Sequence, residues 1–224
     1  MSKILGFLAG AALALGFHTG ALAQELGPDQ LVQKITNEVL AAIKSDKQLA
    51  AGDRQKAIKL AEEKVLPYID FEQATRLAVG RAWREATPEQ RKRLVTEFRN
   101  MLVRTYSNAI EGYQGQTLKV LPARGKQDPE ETIVRTQFVR AGGQPLPIDF
   151  SMRKSDQGWK VFDITVEGVS LVLTYRSEFD AIVKQEGIDG LIKRLASKNM
   201  PAAAVGGSAG AAKPASKAEK KPEK

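Results

Sequence analysis

The spacing of apolar residues changes once along this chain, and that change restricts the folds that the chain can adopt. Between residues 28 and 113 apolar side chains recur every three or four positions, which is the period of an amphipathic helix. After Gly115 they recur at every second position, as in strands with one buried face. Because helices and strands fall in separate blocks, the pattern argues against a parallel β-α-β sheet and predicts an α+β fold.

Start and stop signals divide the first block into four predicted helices. The first begins at Pro28, the second follows a cap at Asp53, and the third spans residues 68–79. The strongest signal is Thr87-Pro88-Glu89-Gln90, where Thr can cap, Pro occupies the first helical position and Gln completes a capping box. It predicts a fourth helix that continues to about Gly112.

Four strands are predicted in the second block, with Pro, Gly and Asp-rich turns between them. Short connections imply an antiparallel meander. Two helices are expected after the sheet, separated at Gly187. The predicted strands are 117–121, 132–140, 146–154 and 159–167, and the two predicted helices are 171–185 and 188–197.

Both ends of the chain have compositions that are typical of segments outside a folded domain. A positive start, an apolar run and the A-x-A signature Ala21-Leu22-Ala23 predict a secretory signal peptide over residues 1–23, cleaved before Gln24. Residues 201–224 are mainly Ala, Gly, Pro, Lys and Glu, and predict a disordered tail. The expected folded domain is therefore 24–200.

Composition argues against most familiar catalytic chemistry. The chain has no Cys, and its single His, His18, lies in the predicted signal peptide. His-based triads, Cys nucleophiles, zinc fingers and disulfides are thereby excluded from the exported protein, and we predict no catalytic residue, no metal and no cofactor. Chemistry by Tyr and carboxylate groups stays open. Asp163 is a candidate carboxylate, expected to face away from its neighbours Phe162 and Ile164.

The charge indicates anionic surfaces more than nucleic acid. The net charge is +8, from 34 basic and 26 acidic residues, but the predicted folded domain carries only about +4 and the predicted tail +3. An exported protein of this moderate charge favours anionic lipid, cell-wall polymer or an acidic protein as a partner.

Five segments occur in a defined order along the chain. They are Pro67-Tyr68-Ile69-Asp70-Phe71, then Leu77-Ala78-Val79-Gly80-Arg81-Ala82-Trp83, then Thr87-Pro88-Glu89-Gln90 leading to Leu102-Val103-Arg104-Thr105-Tyr106, then Val166-Glu167-Gly168-Val169-Ser170-Leu171 with Arg176, and finally Gly187-Ile188-Asp189-Gly190-Leu191-Ile192. Together these segments resemble the MlaC family, whose members are also called toluene-tolerance proteins. They are spread from about Pro28 to Leu195, so the resemblance covers nearly all of the predicted domain.

This resemblance implies a periplasmic phospholipid carrier, the soluble component of an ABC-type system that maintains outer-membrane lipid asymmetry. It implies a curled antiparallel sheet of the cystatin or NTF2 kind, roofed by helices and enclosing a hydrophobic cavity for a diacyl phospholipid cargo. The expected partners are an inner-membrane MCE-domain ABC transporter complex and an outer-membrane lipoprotein–porin complex. A monomer without nucleic acid is expected, and transport direction and head-group preference stay open.

The apolar helix stripe and the apolar sheet face are the candidate walls of that cavity, although a solid core would show the same periodicity. Arg81, Arg84, Arg91 and Arg93 are candidate contacts for a head-group phosphate or an acidic partner, because guanidinium suits phosphate geometrically. The candidate lining residues are Leu77, Val79, Phe98, Leu102, Tyr106, Tyr113, Phe138, Ile148, Phe150, Met152, Phe162, Ile164, Val169 and Val172.

Two other functions stay open. An NTF2-like enzyme acting on a small hydrophobic molecule would have a compact pocket and a carboxylate of raised pKa beside Tyr106 or Tyr113. A basic cell-envelope adaptor would have no cavity, and its binding would be sensitive to salt. A lipid carrier predicts a long dry cavity.

Overall fold

The computed structural model describes residues 26–106, 115, 117–123, 128–139 and 143–199. The predicted signal peptide (1–23) and the predicted tail (201–224) lie outside these residues. Within the described part, helices and strands are grouped in blocks, and the predicted α+β class is confirmed. None of the helices in this part is both long enough and apolar enough to cross a membrane.

The described residues form seven α-helices. The first five precede the long sixth helix, and the seventh follows the sheet. Their bounds are α1 (Pro28–Ser45), α2 (Lys47–Ala50), α3 (Arg54–Lys64), α4 (Phe71–Val79), α5 (Ala82–Glu85), α6 (Pro88–Tyr106) and α7 (Arg176–Asn199).

The sheet is an antiparallel meander, as predicted, but it has five strands where four were expected. Neighbours in the chain are neighbours in the sheet, in the order β1-β2-β3-β4-β5. The additional strand, β5, has two residues, too few to produce a period-two pattern. The strands are β1 (Thr117–Val120), β2 (Glu131–Val139), β3 (Leu146–Ser155), β4 (Gly158–Val166) and β5 (Val169–Ser170).

The predicted helix caps are present as hydrogen bonds. The Asp53 carboxylate accepts a hydrogen bond from the Lys56 backbone N–H at 3.0 Å. At the start of α6, the Gln90 N–H donates to the Thr87 hydroxyl at 3.2 Å, and the Thr87 N–H donates to the Gln90 side chain at 3.0 Å. This reciprocal pair satisfies two backbone donors that the helix itself leaves free, so the helix begins here.

Two predicted helices begin later than expected. The one expected from residue 171 begins at Arg176, because Val169–Ser170 forms β5 and Leu173–Tyr175 forms a 3₁₀ turn. The helix expected over 68–79 begins at Phe71, because Leu66–Tyr68 forms a 3₁₀ turn and Asp70 caps α4 through the Gln73 N–H at 2.9 Å. The predicted break at Gly187 is confirmed within α7, where this residue has φ 70° and ψ −179°. Such a backbone conformation is accessible essentially only to glycine.

The helical core is filled by aromatic and aliphatic side chains from α4, α6 and α7. Phe98 is fully buried, with ring centroids 5.4 Å from Phe179 and 5.5 Å from Tyr175, both in edge-on geometry. Leu94 and Leu191 are fully buried beside them. This region therefore has the interlocked packing of a solid protein interior.

The sheet has one covered face and one polar face. Val134, Phe150 and Ile164 lie side by side in one cross-strand row, and α1 packs Leu31 and Val32 into the same cluster. The next row, which faces the opposite way, contains polar residues such as Arg135, Asp149 and Thr165. The covered face is thus already occupied by α1.

Candidate functional site

An apolar cavity of about 280 Å³ lies along the outer edge of β4, where the covered face of the sheet ends. Val161 and Ile164 belong both to the cluster under α1 and to the lining of this cavity. The Asp70 N–H donates to the Val161 carbonyl at 2.8 Å, and the Leu171 N–H donates to the Ile164 carbonyl at 2.9 Å. Between these two points the described part of the chain pairs no strand with the outer side of β4. The gap between the two pairings is the floor of the cavity.

A bulge lies in the part of β4 that lines this cavity. Ser151 pairs with Asp163, but the next residue of β3, Met152, pairs with Val161, so Phe162 has no partner on β3. The extra residue bends the strand and breaks the alternation of its two faces. Beyond the bulge the register is regular again, because Asp163 pairs with Ser151 and Ile164 with Phe150. These two neighbours therefore still point to opposite faces of the sheet, and both reach the cavity because it runs along the edge of the strand.

The remaining walls come from α1, α3, the start of α4 and the segment before it, α6, and the segment after β5. Small side chains on α3 and α4 leave much of the space empty. The lining residues are Val39, Ala57, Leu60, Ala61, Val65, Leu66, Ile69, Phe71, Ala74, Leu102, Val103, Tyr106, Val161, Phe162, Asp163, Ile164, Leu171 and Val172.

The carboxylate of Asp163 is engaged in holding one wall in place. This side chain is 7% exposed, and it accepts hydrogen bonds from the N–H groups of Ile164 (2.8 Å) and Val172 (3.2 Å). It also accepts one from the Ser170 hydroxyl at 2.5 Å. These three bonds satisfy a buried charge and fix the position of Leu171 and Val172 against the cavity.

Tyr106 lies where the cavity opens to solvent. It lines the cavity and is nevertheless 37% exposed. Burial of the ring, its hydrogen bond with Tyr175 and the nearby Asp163 carboxylate all raise the pKa of Tyr106 above its ordinary value. The phenol is therefore neutral at physiological pH, and the mouth of the cavity carries no tyrosinate charge.

Five of the residues predicted to line a cavity do so: Leu102, Tyr106, Phe162, Ile164 and Val172. Three others from the helices, Leu77, Val79 and Phe98, belong to the solid helical core. The apolar stripes of α4 and α6 are longer than the cavity. Beyond its end they pack into the core that contains the rings of Tyr175 and Phe179.

The predicted residues from the inner strands do not line this cavity either. Phe150 and Met152 pack in the cluster under α1, and Ile148 and Phe138 stand half-buried on β3 and β2. The physical reason is that the cavity follows the edge of β4, so strands deeper in the sheet cannot reach it. Val169 is 59% exposed on β5, and Tyr113 lies outside the described residues.

The residues that sequence reasoning did not assign to the cavity come mainly from α3 and the segment after it. Ala57, Leu60 and Ala61 follow helical spacing, and this stripe of small and aliphatic residues was a usable signal. Ile69 and Phe71 were noted only as part of a family motif. Their position in the wall depends on the pairing of this segment with β4, which no local pattern reveals.

None of the four predicted arginine contacts lines the cavity. Arg91 is used inside the fold: its guanidinium donates to the carbonyls of Trp83 (2.9 Å) and Arg84 (3.2 Å) and lies 5.6 Å from the Trp83 ring centroid. It thereby ties α5 to α6. Arg81, Arg84 and Arg93 are exposed. Across the described ranges, no group of three or more acidic, His or Cys side chains is arranged to hold a metal ion.

Comparison with known proteins is consistent with the cavity. The family model described as MlaC protein matches residues 33–197. The chain is 24% identical over 174 residues to the intermembrane phospholipid transport system binding protein MlaC of Haemophilus influenzae, which covers 76% of this chain and 81% of that relative. It is also 24% identical over 163 residues to toluene tolerance protein ttg2D of Pseudomonas putida, covering 72% of this chain and 75% of that one.

A solved structure is similar as well. The phospholipid-binding protein from Ralstonia solanacearum, determined in complex with a phospholipid at 1.53 Å, superposes with a TM-score of 0.71 and 35% sequence identity. The match covers 78% of this chain and 97% of that one. The shared fold therefore extends over essentially all of the Ralstonia protein.

Proposed function

The chain belongs to the MlaC family, and from that premise we propose that it is a periplasmic carrier of diacyl phospholipid. In this proposal it has no catalytic role, and it moves lipid between an inner-membrane MCE-domain ABC transporter complex and an outer-membrane lipoprotein–porin complex. A cleaved signal peptide over residues 1–23 would deliver it to the periplasm. The Haemophilus relative is a phospholipid transport binding protein by name, and the Ralstonia protein holds a phospholipid.

The observation that carries this proposal is the apolar cavity along β4. Two lining residues, Asp163 and Tyr106, have polar side chains. Because Asp163 is hydrogen-bonded within its own loop, the Tyr106 phenol at the mouth is the one that can contact a ligand. Burying a methylene contributes about 0.8 kcal/mol, so an acyl chain of about fifteen methylenes gains roughly 12 kcal/mol relative to water. A bilayer offers nearly the same gain, and exchange between cavity and bilayer can therefore be reversible.

The cavity volume indicates that a wall moves when a whole lipid binds. About 280 Å³ is near the lower end of the roughly 300–1,000 Å³ range of small-molecule sites, and a diacyl lipid is larger than most such ligands. The α3 wall is attached partly by surface contacts. Arg54 donates to the Arg104 carbonyl at 3.1 Å, and Lys64 lies 3.3 Å from Glu38. Exposed contacts of this kind contribute about 0–1 kcal/mol each, so the larger resistance to a displacement of α3 comes from Ala57 and Leu60, which are buried against Ile43 and Leu49.

The two rival functions fit the described residues less well. An enzyme would need an available carboxylate near Tyr106, but Asp163 is occupied by three hydrogen bonds from its own loop. A basic adaptor without a cavity would not need the empty space between α3, α6 and β4. Both observations favour a carrier.

Native mass spectrometry of the protein purified from the periplasm without detergent tests the proposal. We expect a bound species with the mass of a diacyl phospholipid, identified by extraction and lipid analysis. A lipid-free protein that also fails to take lipid from phospholipid vesicles would overturn the proposal.

A pair of variants assigns the lipid to this cavity. Val103→Asp places a charge in the wall, and we expect lipid occupancy to fall at least about tenfold, since an ion is poorly tolerated among acyl chains. Ile133→Asp is the matched control, because Ile133 is 56% exposed on β2 and does not line the cavity. Equal lipid occupancy in both folded variants would exclude this cavity as the binding site.

A further inference from the structure

Exposed apolar side chains surround the open end of the cavity. Among the large apolar residues of the described part, Val169 is 59% exposed, Leu173 45% and Tyr106 37%. Val169 lies on β5 and Leu173 begins the 3₁₀ turn Leu173–Tyr175, whose last residue is hydrogen-bonded to Tyr106. The three exposed side chains therefore come from segments that meet at the mouth.

The segment after the β4–β5 turn has two apolar sides. Its inward residues, Leu171 and Val172, line the cavity. Its outward residues, Val169 and Leu173, face solvent. One short stretch of chain thus separates an apolar interior from an apolar exterior surface. Apolar exposure that is contiguous with a binding site is typical of an interaction surface.

This segment is held firmly by hydrogen bonds. Asp163 accepts from the Ser170 hydroxyl and from the Val172 N–H. The Ser170 hydroxyl in turn accepts from the Leu173 N–H at 2.9 Å, and the Ser170 carbonyl accepts from the Thr174 hydroxyl at 2.6 Å. The exposed aliphatic side chains are therefore presented by a structured loop, and their exposure is built into the fold.

Two arginines flank the same surface. Arg176 follows the 3₁₀ turn and crosses Gly80, where a Cβ atom would lie 3.1 Å from its guanidinium. Gly80 also has a φ of 66°, so glycine is doubly required there. Arg81 is the next residue. Both arginines are exposed, and neither makes an ion pair within 4.0 Å in the part of the chain that the structure describes, although the Arg176 guanidinium donates to the Leu77 carbonyl at 3.4 Å. One exposed acidic residue, Glu167, lies in the β4–β5 turn.

We propose that this mouth patch, defined as Tyr106, Val169 and Leu173 with Arg81 and Arg176, docks directly on an anionic phospholipid bilayer. The proposal rests on the lipid-carrier function above. Docking would place the cavity mouth against the bilayer, so that an acyl chain passes between two apolar environments without crossing water. The arginines would lie near head-group phosphates while the aliphatic tips enter the upper acyl region.

The small size of the patch favours a bilayer over a protein partner. A stable protein interface buries about 800 Å² on each side and is anchored by several large residues. The mouth patch offers two exposed aliphatic side chains and one tyrosine. A few shallow apolar insertions combined with basic residues are instead the usual composition of reversible interfacial membrane contacts.

Vesicle flotation of the full exported protein tests this docking. The probe is large unilamellar vesicles of phosphatidylethanolamine with a minor fraction of phosphatidylglycerol. We expect wild-type protein to float with the vesicles, and the double variant Val169→Asp/Leu173→Asp to bind them at least about tenfold more weakly. Ile133→Asp, which alters an aliphatic side chain of similar exposure on the polar face of β2, should bind as wild type does.

The charge component has its own test. Arg81→Ser should weaken binding to vesicles that contain phosphatidylglycerol severalfold and leave binding to pure phosphatidylcholine vesicles unchanged. An equal loss on both vesicles would contradict the assigned role of this arginine.

Two outcomes overturn the docking proposal. One is wild-type protein that fails to float with the vesicles, and the other is a double variant that binds as wild type does. Reduced lipid exchange in the double variant together with absent vesicle binding would indicate a protein partner for this surface instead. Native mass spectra of the same samples separate the two proposals. Bound lipid without docking overturns only the membrane contact, whereas absent lipid overturns the carrier function.

Discussion

Helix α6 contributes apolar side chains to two regions of opposite character. Toward its start, Phe98 is enclosed between Tyr175 and Phe179 in a solid core. One turn later Leu102, and then Tyr106, face an empty cavity. The stripe on α6 is continuous, so nothing in the helix itself separates these two regions.

The difference between the regions is made by what lies opposite. The solid core receives bulky rings from α7 and the turn before it. The cavity is lined instead by Ala57 and Ala61 of α3 and by the stretch of β4 between its two outer pairings. Short side chains on one wall, and on another a strand edge with which the described residues pair no strand, leave a space that α6 cannot fill alone. Whether the space beside a helix is filled or hollow thus depends on the side chains that lie opposite the helix as well as on its own.

Replacing one large side chain of α6 by alanine in each region gives the largest expected difference in stability. Phe98→Ala should lower the free energy of unfolding by about 3–5 kcal/mol, because it leaves a void in a closely packed cluster. Leu102→Ala should cost only about 1–2 kcal/mol, since it enlarges a space that already exists. Urea denaturation of lipid-free protein measures both values, and equal losses would contradict the division into solid and hollow regions.

Replacing an alanine by phenylalanine in each region tests the same division by adding volume instead of removing it. Ala78 is fully buried in the solid core, and Ala78→Phe should destabilise the fold by about 1–3 kcal/mol through overpacking. Ala61 lines the cavity, so Ala61→Phe should change stability by less than about 1 kcal/mol. The same Ala61 variant should reduce lipid occupancy in native mass spectra severalfold. Normal occupancy in folded Ala61→Phe would show that this wall does not bound the lipid.

The smallest expected effect concerns pH at the mouth. The pKa of Tyr106 is raised in the folded protein by burial and by the hydrogen bond with Tyr175. The folded state therefore holds the phenol proton more tightly than the unfolded state, and this stabilisation is complete below the ordinary tyrosine pKa of about 10. It is lost as the pH rises above that value. Urea midpoints followed from about pH 8 to 11 should fall more for wild type than for Tyr106→Phe, and parallel curves would contradict a buried phenol at the mouth.

Much of the local structure was predictable from short signals. The caps at Asp53 and Thr87 and the break at Gly187 each depend on a few neighbouring residues, and all three are confirmed. The antiparallel meander followed from short connections between period-two segments. The strand β5 was not predicted, because it has only two residues paired with the end of β4 and a period-two pattern cannot be recognised over two residues.

Sequence reasoning identified only a minority of the residues that line the cavity. Leu102 and Tyr106, which share the stripe of α6, lie along the cavity. Phe150 and Met152 share an equally clear stripe, but α1 covers their face of the sheet. Deciding which stripe meets a space and which meets a helix requires knowing what packs opposite, and that information is distributed over the whole chain.

The sequence by itself determined the class of fold, the order and type of most elements, and the family resemblance that the comparisons confirm. Hydrophobic periodicity and capping are local, so they can be read without coordinates. Only the tertiary structure decided that the cavity follows the edge of β4. That position arises from the bulge at Phe162 and from the pairing of Asp70 and Leu171 with the same strand. These are contacts between distant segments, and the empty space between them is defined by side chains that do not touch.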